Sequence, residues 1–126
     1  MLKKTITYTD YNGNERTEDF YFNLSQVDLV DMEVDAAVET GGGSFEQMIN
    51  KIISEQDYKK IVEMFKVIIL KSVGEKSADG KSFVKSAKIS EAFSHTEAYV
   101  KLFMELVTNE EAAATFIKGV IPTPNN

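Results

Sequence analysis

The sequence predicts a mainly helical α+β fold, in which an N-terminal β-hairpin is followed by about five to six α-helices. Two observations support this prediction. Over residues 5–9, polar and apolar residues alternate with a period of two, which is typical of a strand with one buried face. After residue 24, apolar residues instead recur at helical spacing, and residues that favour helix N-caps precede several of these runs.

The hairpin is predicted to occupy residues 1–23. The alternation is carried by Thr5, Ile6, Thr7, Tyr8 and Thr9. The pair at 12–13, Asn-Gly, tolerates positive φ and predicts the turn, and three aromatic residues at 20–22 lie on the return strand. Because an isolated hairpin is only marginally stable, we expect its apolar face to pack on the helices or on another chain.

Residues 24–121 are predicted to form the helical part of the domain. Helices are expected at about 26–38, 45–53, 58–73, from 89 to a break at Ser94, at about 98–106, and at 109–118 with closure at Gly119. The strongest apolar stripe consists of Tyr58, Ile61, Val62, Phe65, Ile68 and Ile69, and it stops near Gly74. Glycines 41–43 predict a flexible break, and residues 75–81 predict a polar loop with a turn at Asp79-Gly80.

Five positions carry a residue that favours the N-cap and is followed three residues later by an acid or an amide. They are Ser25, Ser44, Ser54, Ser94 and Thr108. The recurrence of this spacing before apolar periodic runs predicts that each of these residues begins a helix.

The length of 126 residues predicts a single domain at 1–121 with a flexible tail at 122–126. The absence of cysteine excludes disulfides and thiolate metal sites. The start of the chain alternates and lacks the continuous apolar stretch of a signal peptide, and no run approaches the length of a membrane span. We therefore expect a cytoplasmic protein with no membrane partner.

Charge is distributed unevenly along the chain. The net charge of −6 argues against general nucleic-acid binding. Residues 1–57 carry four basic and twelve acidic groups, whereas residues 58–88 carry eight lysines and three acids. We hypothesise that the acidic first part of one copy docks on the 58–88 segment of the next, so that the protein self-associates.

No pattern indicates catalysis, a cofactor or a metal site. His95 is the sole histidine and is best interpreted as a polar residue in an exposed first turn. The glycine run at 41–43 before Ser44 lacks the lysine and spacing of a phosphate-binding loop. Three aspartates at 28, 31 and 35 are best interpreted as a solvated face. We therefore predict that the protein is not an enzyme.

Interaction with other proteins remains as the predicted role. Four apolar residues near the C-terminal helix pair serve either the core or a groove for a partner helix. They are Tyr99, Phe103, Phe116 and Ile117.

The chain resembles the tail assembly chaperones of long-tailed phages and prophages of Gram-positive bacteria. The resemblance is carried by KTITYTDYNGNERTEDFYFNLSQ, by the glycine run, and by FKVIILKSVGEKSADGKSFVKS and SEAFSHTEAYVKLFMELVTNEEAAATFIKGVIP. It implies binding and coating of the tape measure protein in the host cytosol, with no place in the mature virion. It also implies that this chain is the short form, and that a longer, frameshifted form recruits the tail tube protein.

An alternative interpretation belongs to another class. A small acidic regulator or inhibitor that binds a host protein has the same size and charge, and it needs no large helical client.

Overall fold

The computed structural model describes residues 1–32 and 54–122. Its strands are β1 (Leu2–Thr9), β2 (Glu15–Phe22), β3 (Val73–Lys76) and β4 (Phe83–Val84). Its helices are α1 (residues 26–32, to the limit of the described residues), α2 (Tyr58–Ser72), α3 (Ala87–Ser94), α4 (Glu97–Thr108) and α5 (Glu110–Val120). The predicted α+β class with an N-terminal hairpin is confirmed. The predicted helix end at 38, break at 41–43, helix at 45–53 and most of the tail lie outside the described residues.

The N-terminal hairpin has one face on the helices and one in solvent. β1 and β2 pair antiparallel with Ile6 opposite Glu18, and Ile6 is buried. On the opposite face, Thr5 donates to the Asp19 carboxylate at 2.6 Å. The connecting loop spans residues 10–14, and Gly13 adopts the positive φ of +83° that the turn requires. The alternation in the sequence therefore identified the strand and its buried face.

A second, shorter hairpin extends the sheet to the order β1-β2-β3-β4. Tyr21 of β2 pairs with Gly74 of β3, and β3 pairs with β4. The prediction placed no strand within the helical part at residues 24–121, and it is therefore wrong at β3 and β4. The predicted turn at Asp79-Gly80 is confirmed, with Gly80 at φ +75°. Strands of two and four residues are too short to show an alternating pattern. Their extended conformation is stabilised by pairing with neighbouring strands rather than by local sequence preference.

The core lies between the helix-facing side of the sheet and the helices. Phe22 is fully buried, and its ring packs edge-on against Phe93 at 5.7 Å and Phe116 at 5.3 Å between centroids. The two residues that follow β2 donate backbone hydrogen bonds to two different helices. The amide of Asn23 donates to the Ser72 carbonyl at 2.8 Å, and that of Leu24 donates to the Val120 carbonyl at 2.8 Å. The hairpin is thus joined to both α2 and α5.

One predicted N-cap is confirmed. The Asp28 amide donates to Ser25 Oγ at 3.1 Å, and the Ser25 amide donates to Asp28 Oδ2 at 2.8 Å. These reciprocal bonds form a capping box at the start of α1, because each side chain satisfies a backbone donor of the other residue.

Three predicted N-caps are wrong. The caps of α2, α4 and α5 are Asp57, Thr96 and Asn109 rather than Ser54, Ser94 and Thr108. The hydroxyls of Ser94 and Thr108 instead donate to carbonyls of the preceding helices, both at 2.6 Å.

Gly119 is also placed differently from its prediction. It lies inside α5, where a Cβ atom would be 2.9 Å from Leu2 Cδ1. The lack of a side chain at Gly119 thus allows the close approach of β1. Gly119 does not terminate the helix.

Candidate interaction surface

Tyr99 and Phe103, two of the predicted interaction residues, lie together on α4. Their rings stack at 6.2 Å between centroids, since residues four apart share one helix face. Both are partly buried against the core, and Tyr99 also packs edge-on against Phe93 at 5.9 Å. Burial raises the pKa of the Tyr99 hydroxyl. The pair therefore forms a half-buried aromatic site that still reaches the surface.

A lysine from α2 lies beside this ring pair. The ammonium of Lys66 is 5.7 Å from the centroid of the Phe103 ring, within the range of a cation–π contact. We call Lys66, Tyr99 and Phe103 the aromatic site. It combines apolar ring surface with one positive charge.

The other two predicted residues are on α5 and are placed differently. Phe116 is 2% exposed and packs on Phe22, so its position supports the core interpretation that the sequence left open. Ile117 is partly buried against the core. The structure therefore brings together Tyr99 and Phe103, and it assigns Phe116 to the interior.

A second surface, which the sequence did not reveal, lies where α4 runs along the outer edge of β1. Its exposed side chains are Tyr11, Val100, Lys101 and Met104, and we call it the lateral surface. Tyr11, Val100 and Met104 are 76%, 44% and 49% exposed. They line a shallow groove of about 460 Å³ between the hairpin loop and the helix.

Three polar contacts fix α4 antiparallel to β1. The Tyr11 hydroxyl donates to Glu97 at 3.0 Å, and this hydrogen bond raises the pKa of the Tyr11 hydroxyl. Further along the helix, the Lys101 ammonium donates to the Thr7 carbonyl at 2.5 Å. A third contact joins Lys4 to Glu105 at 2.7 Å. The partners on the helix are four residues apart, so they occupy one face of α4 beside the strand edge.

Sequence reasoning missed the lateral surface because its residues come from distant parts of the chain. Val100 and Met104 have the spacing of a helix face, and this signal was available in the sequence. Their exposure depends on where β1 lies relative to α4, which the spacing does not reveal.

Part of the lysine-rich 58–88 segment is paired within the chain. Lys85 forms an ion pair with Asp28 and donates to the Asn23 carbonyl at 2.9 Å. Burial of Asp28 acts to raise its pKa, but hydrogen bonds from Lys85 and Ser25 outweigh burial and leave the pKa below its usual value. This contact ties α1 to the residue that follows β4. Lys85 is therefore not available to the acidic part of a neighbouring copy, as the hypothesis of docking on the 58–88 segment assumed.

His95 is exposed and follows α3 as its C-cap residue, one position before the N-cap of α4. Among residues 1–32 and 54–122, no group of three His, Cys, Asp or Glu side chains is arranged to hold a metal ion. Over the same residues, no helix is long and apolar enough to cross a membrane.

Comparison with protein families decides the broad assignment. A family described as phage tail assembly chaperone matches residues 1–124. The chain belongs to this family. Neither curated proteins nor solved structures gave a match. Membership means that this tail assembly chaperone has a phage tail protein as its partner, and it places the aromatic site and the lateral surface on an assembly factor.

Proposed function

We propose that this chaperone binds the tape measure protein and coats it in the host cytosol while the tail is assembled. The family match over residues 1–124 carries the proposal. A long, helix-rich client has apolar faces that must be covered until tube subunits surround it. Many copies of a small acidic protein meet that need, since their net charge of −6 each keeps the coated client in solution.

The aromatic site is the proposed contact for the client. Tyr99 and Phe103 present stacked, half-buried rings on one face of α4. An amphipathic helix binds such a site by placing apolar side chains from successive turns against the rings. Lys66, 5.7 Å from the Phe103 ring centroid, favours client helices that carry an acidic residue beside the apolar stripe.

Co-expression with the tape measure protein of the same phage tests the proposal. We expect the tape measure protein to be insoluble alone, and to become soluble and co-purify when the chaperone is present. Phe103→Ala should reduce the soluble fraction several-fold, because it removes one ring of the stacked pair and the ring that Lys66 contacts. Tyr58→Ala is the matched control, since Tyr58 is an exposed aromatic residue on a different helix.

Circular dichroism must show that both variants keep the wild-type helix content. Failure of the wild-type protein to solubilise or bind the tape measure protein would reject this function and favour a regulator of a host protein. If Phe103→Ala and Tyr58→Ala reduced the soluble fraction of the tape measure protein equally, the aromatic site would be rejected as the contact. The tape measure protein would remain the proposed client.

The same proposal includes a second, longer product. We propose that ribosomal frameshifting extends a minority of chains with a domain that recruits the tail tube protein, and that neither form remains in the mature virion. Expression of the native gene with its downstream DNA and an N-terminal tag tests this part by immunoblot and mass spectrometry. A minor longer product with the same N-terminus is expected, and a lone product with the mass of the tag plus the 14.1 kDa chain would contradict it.

A further inference from the structure

The outer edge of β1 has free hydrogen-bonding groups. The Asp10 amide donates to the Asn14 carbonyl at 2.9 Å across the hairpin loop. Because hydrogen-bonded pairs alternate along an antiparallel ladder, the even-numbered residues of β1 bond to β2. The N–H and C=O groups of Thr5, Thr7 and Thr9 therefore point away from β2. Within the described residues, their sole partner is the Lys101 ammonium on the Thr7 carbonyl.

Apolar side chains lie directly beneath this edge. Val100 and Met104 are four residues apart on α4 and are about half exposed, and Tyr11 extends the apolar surface at the loop end. The lateral surface thus has two layers, a strand edge and an apolar helix face. An occupant that fits both layers needs a strand edge with an apolar helix beside it.

Charge along the lateral surface changes sign from one end to the other. Lys3 and Lys4 lie at the start of β1, with one acid, Glu105, beside Lys4. Asp10 and Glu97 lie at the opposite end, near the hairpin loop, where Arg16 forms an ion pair with Asp10 at 2.6 Å and one net negative charge remains. A second surface of the same kind is complementary when it runs antiparallel, and it meets like charges when it runs parallel.

We propose that two copies of this chain pair β1 to β1, antiparallel, about a two-fold axis. Such an isologous contact joins two identical surfaces, and a second copy supplies both the strand edge and the apolar helix face. In the register that sets Thr7 opposite Thr7 of the other copy, the Lys4–Glu105 pair of one copy lies opposite the Asp10–Arg16 pair of the other. The two sheets then form one continuous sheet, and the Val100 and Met104 faces meet beneath it.

Lys101 controls access to this edge. Lysine on an edge strand commonly prevents unwanted pairing, and here its ammonium occupies the carbonyl at the centre of the proposed contact. Pairing requires the ammonium to leave Thr7, and the two-fold axis then brings it near Lys101 of the other copy, so that the two like charges oppose the contact. Replacing Lys101 with Met should therefore strengthen the dimer, because the carbonyl is then free before the copies meet.

Analytical ultracentrifugation of the isolated chain over a concentration series tests the proposal without the client. We expect a reversible dimer that weakens as salt screens the complementary ends. Thr5→Pro should raise the dimer Kd at least about tenfold, since proline removes an outward N–H and no bond to β2. Thr5→Val is the matched control, because it also loses the Asp19 hydrogen bond but keeps the amide.

Two further measurements keep the test decisive if the proline variant does not fold. Met104→Glu should weaken the dimer, because it places a charge in the apolar helix face of the contact. We expect α4 to stay folded, since Met104 is 49% exposed. By amide hydrogen exchange, Thr5 and Thr9 should exchange more slowly as the dimer forms. A wild-type chain that stays monomeric at all concentrations, or a dimer unaffected by Thr5→Pro and Met104→Glu, would overturn the proposal. Either result leaves the client-binding proposal untouched, because no client is present.

Discussion

A Cβ atom on Gly74 would lie 2.6 Å from the carbonyl oxygen of Val84. The same atom would lie 2.6 Å from the ring of Phe83. Gly74 is in β3, two residues after the end of α2, and Val84 is in β4, so the contact lies at the end of the second hairpin away from its turn. Only a residue without a side chain allows β4 to come this close to β3.

We predict that Gly74→Ala lowers the free energy of unfolding by about 1–3 kcal/mol, the usual cost of overpacking. The clash involves a backbone oxygen, which cannot move away without disturbing the strand pairing. The control is Gly80→Asn, because Gly80 has positive φ but nothing within 4 Å of an added Cβ, and asparagine tolerates that conformation. Urea unfolding should separate the two variants, and equal midpoints would contradict the role assigned to Gly74.

Phe22 is predicted to be the largest single contributor to the core among the hairpin residues. It is fully buried between Phe93 and Phe116. Phe22→Ala should cost about 3–5 kcal/mol, whereas Phe22→Leu should cost clearly less because it leaves a smaller cavity. A double-mutant cycle with Phe116→Leu should show a coupling of about 0.5–1.5 kcal/mol from the edge-on ring contact. Additive effects would show that the two rings act independently.

The helix caps seen in the structure can be distinguished from those that the sequence predicted. Asn109→Ala should cost about 1 kcal/mol, because its side chain accepts a hydrogen bond from the Ala112 amide at 3.0 Å. Thr108→Ala should cost less than about 0.5 kcal/mol, since its hydroxyl bonds to a carbonyl within the preceding helix. The pair is well matched, and denaturant midpoints measured under one condition check it. A larger loss of unfolding free energy for Thr108→Ala than for Asn109→Ala would instead support Thr108 as the N-cap, as the sequence predicted.

Asp28 should make the stability depend on pH in the acid range. Its folded-state pKa is lowered from 3.8, because hydrogen bonds from Lys85 and Ser25 outweigh the opposing effect of burial. The unfolded state therefore binds this proton more readily. The contribution of Asp28 is fully present above about pH 4 and is lost as the pH falls through the folded-state pKa.

Asp28→Asn should therefore lower stability near neutral pH and flatten the acid limb of the pH profile. Asp31→Asn removes the same charge from an exposed position on the same helix and serves as the control. Urea unfolding between pH 7 and pH 2.5 measures both. If the two variants lose stability equally at every pH, the Asp28–Lys85 contact does not stabilise the fold.

Much of the architecture follows from patterns within short segments. Alternation over residues 5–9 identified the strand, its buried Ile6 and its polar face, because a strand repeats every two residues. The stripe on α2 identified a buried helix face for a similar reason. Cap positions were less predictable, since Ser94 and Thr108 have the right spacing but lie within the preceding helices. A cap depends on where the earlier helix ends, and local spacing does not contain that information.

The candidate site was predictable only in part. Tyr99 and Phe103 stack because they are four residues apart on α4, which the sequence shows directly. Whether an apolar residue is core or surface depends on what covers it, and the same pattern described both Phe103 and the buried Phe116. The lateral surface could not be predicted, because Tyr11 and Met104 meet only when α4 lies along β1.

The amino-acid pattern specifies which segments are strands and helices, which faces are apolar, and which family the chain resembles, because these properties arise from neighbours along the chain. Tertiary packing specifies the β3–β4 hairpin, the end of each helix, and the exposed residues available to a partner. Those features depend on contacts between segments far apart in sequence, such as Lys101 with Thr7, and no local preference encodes them.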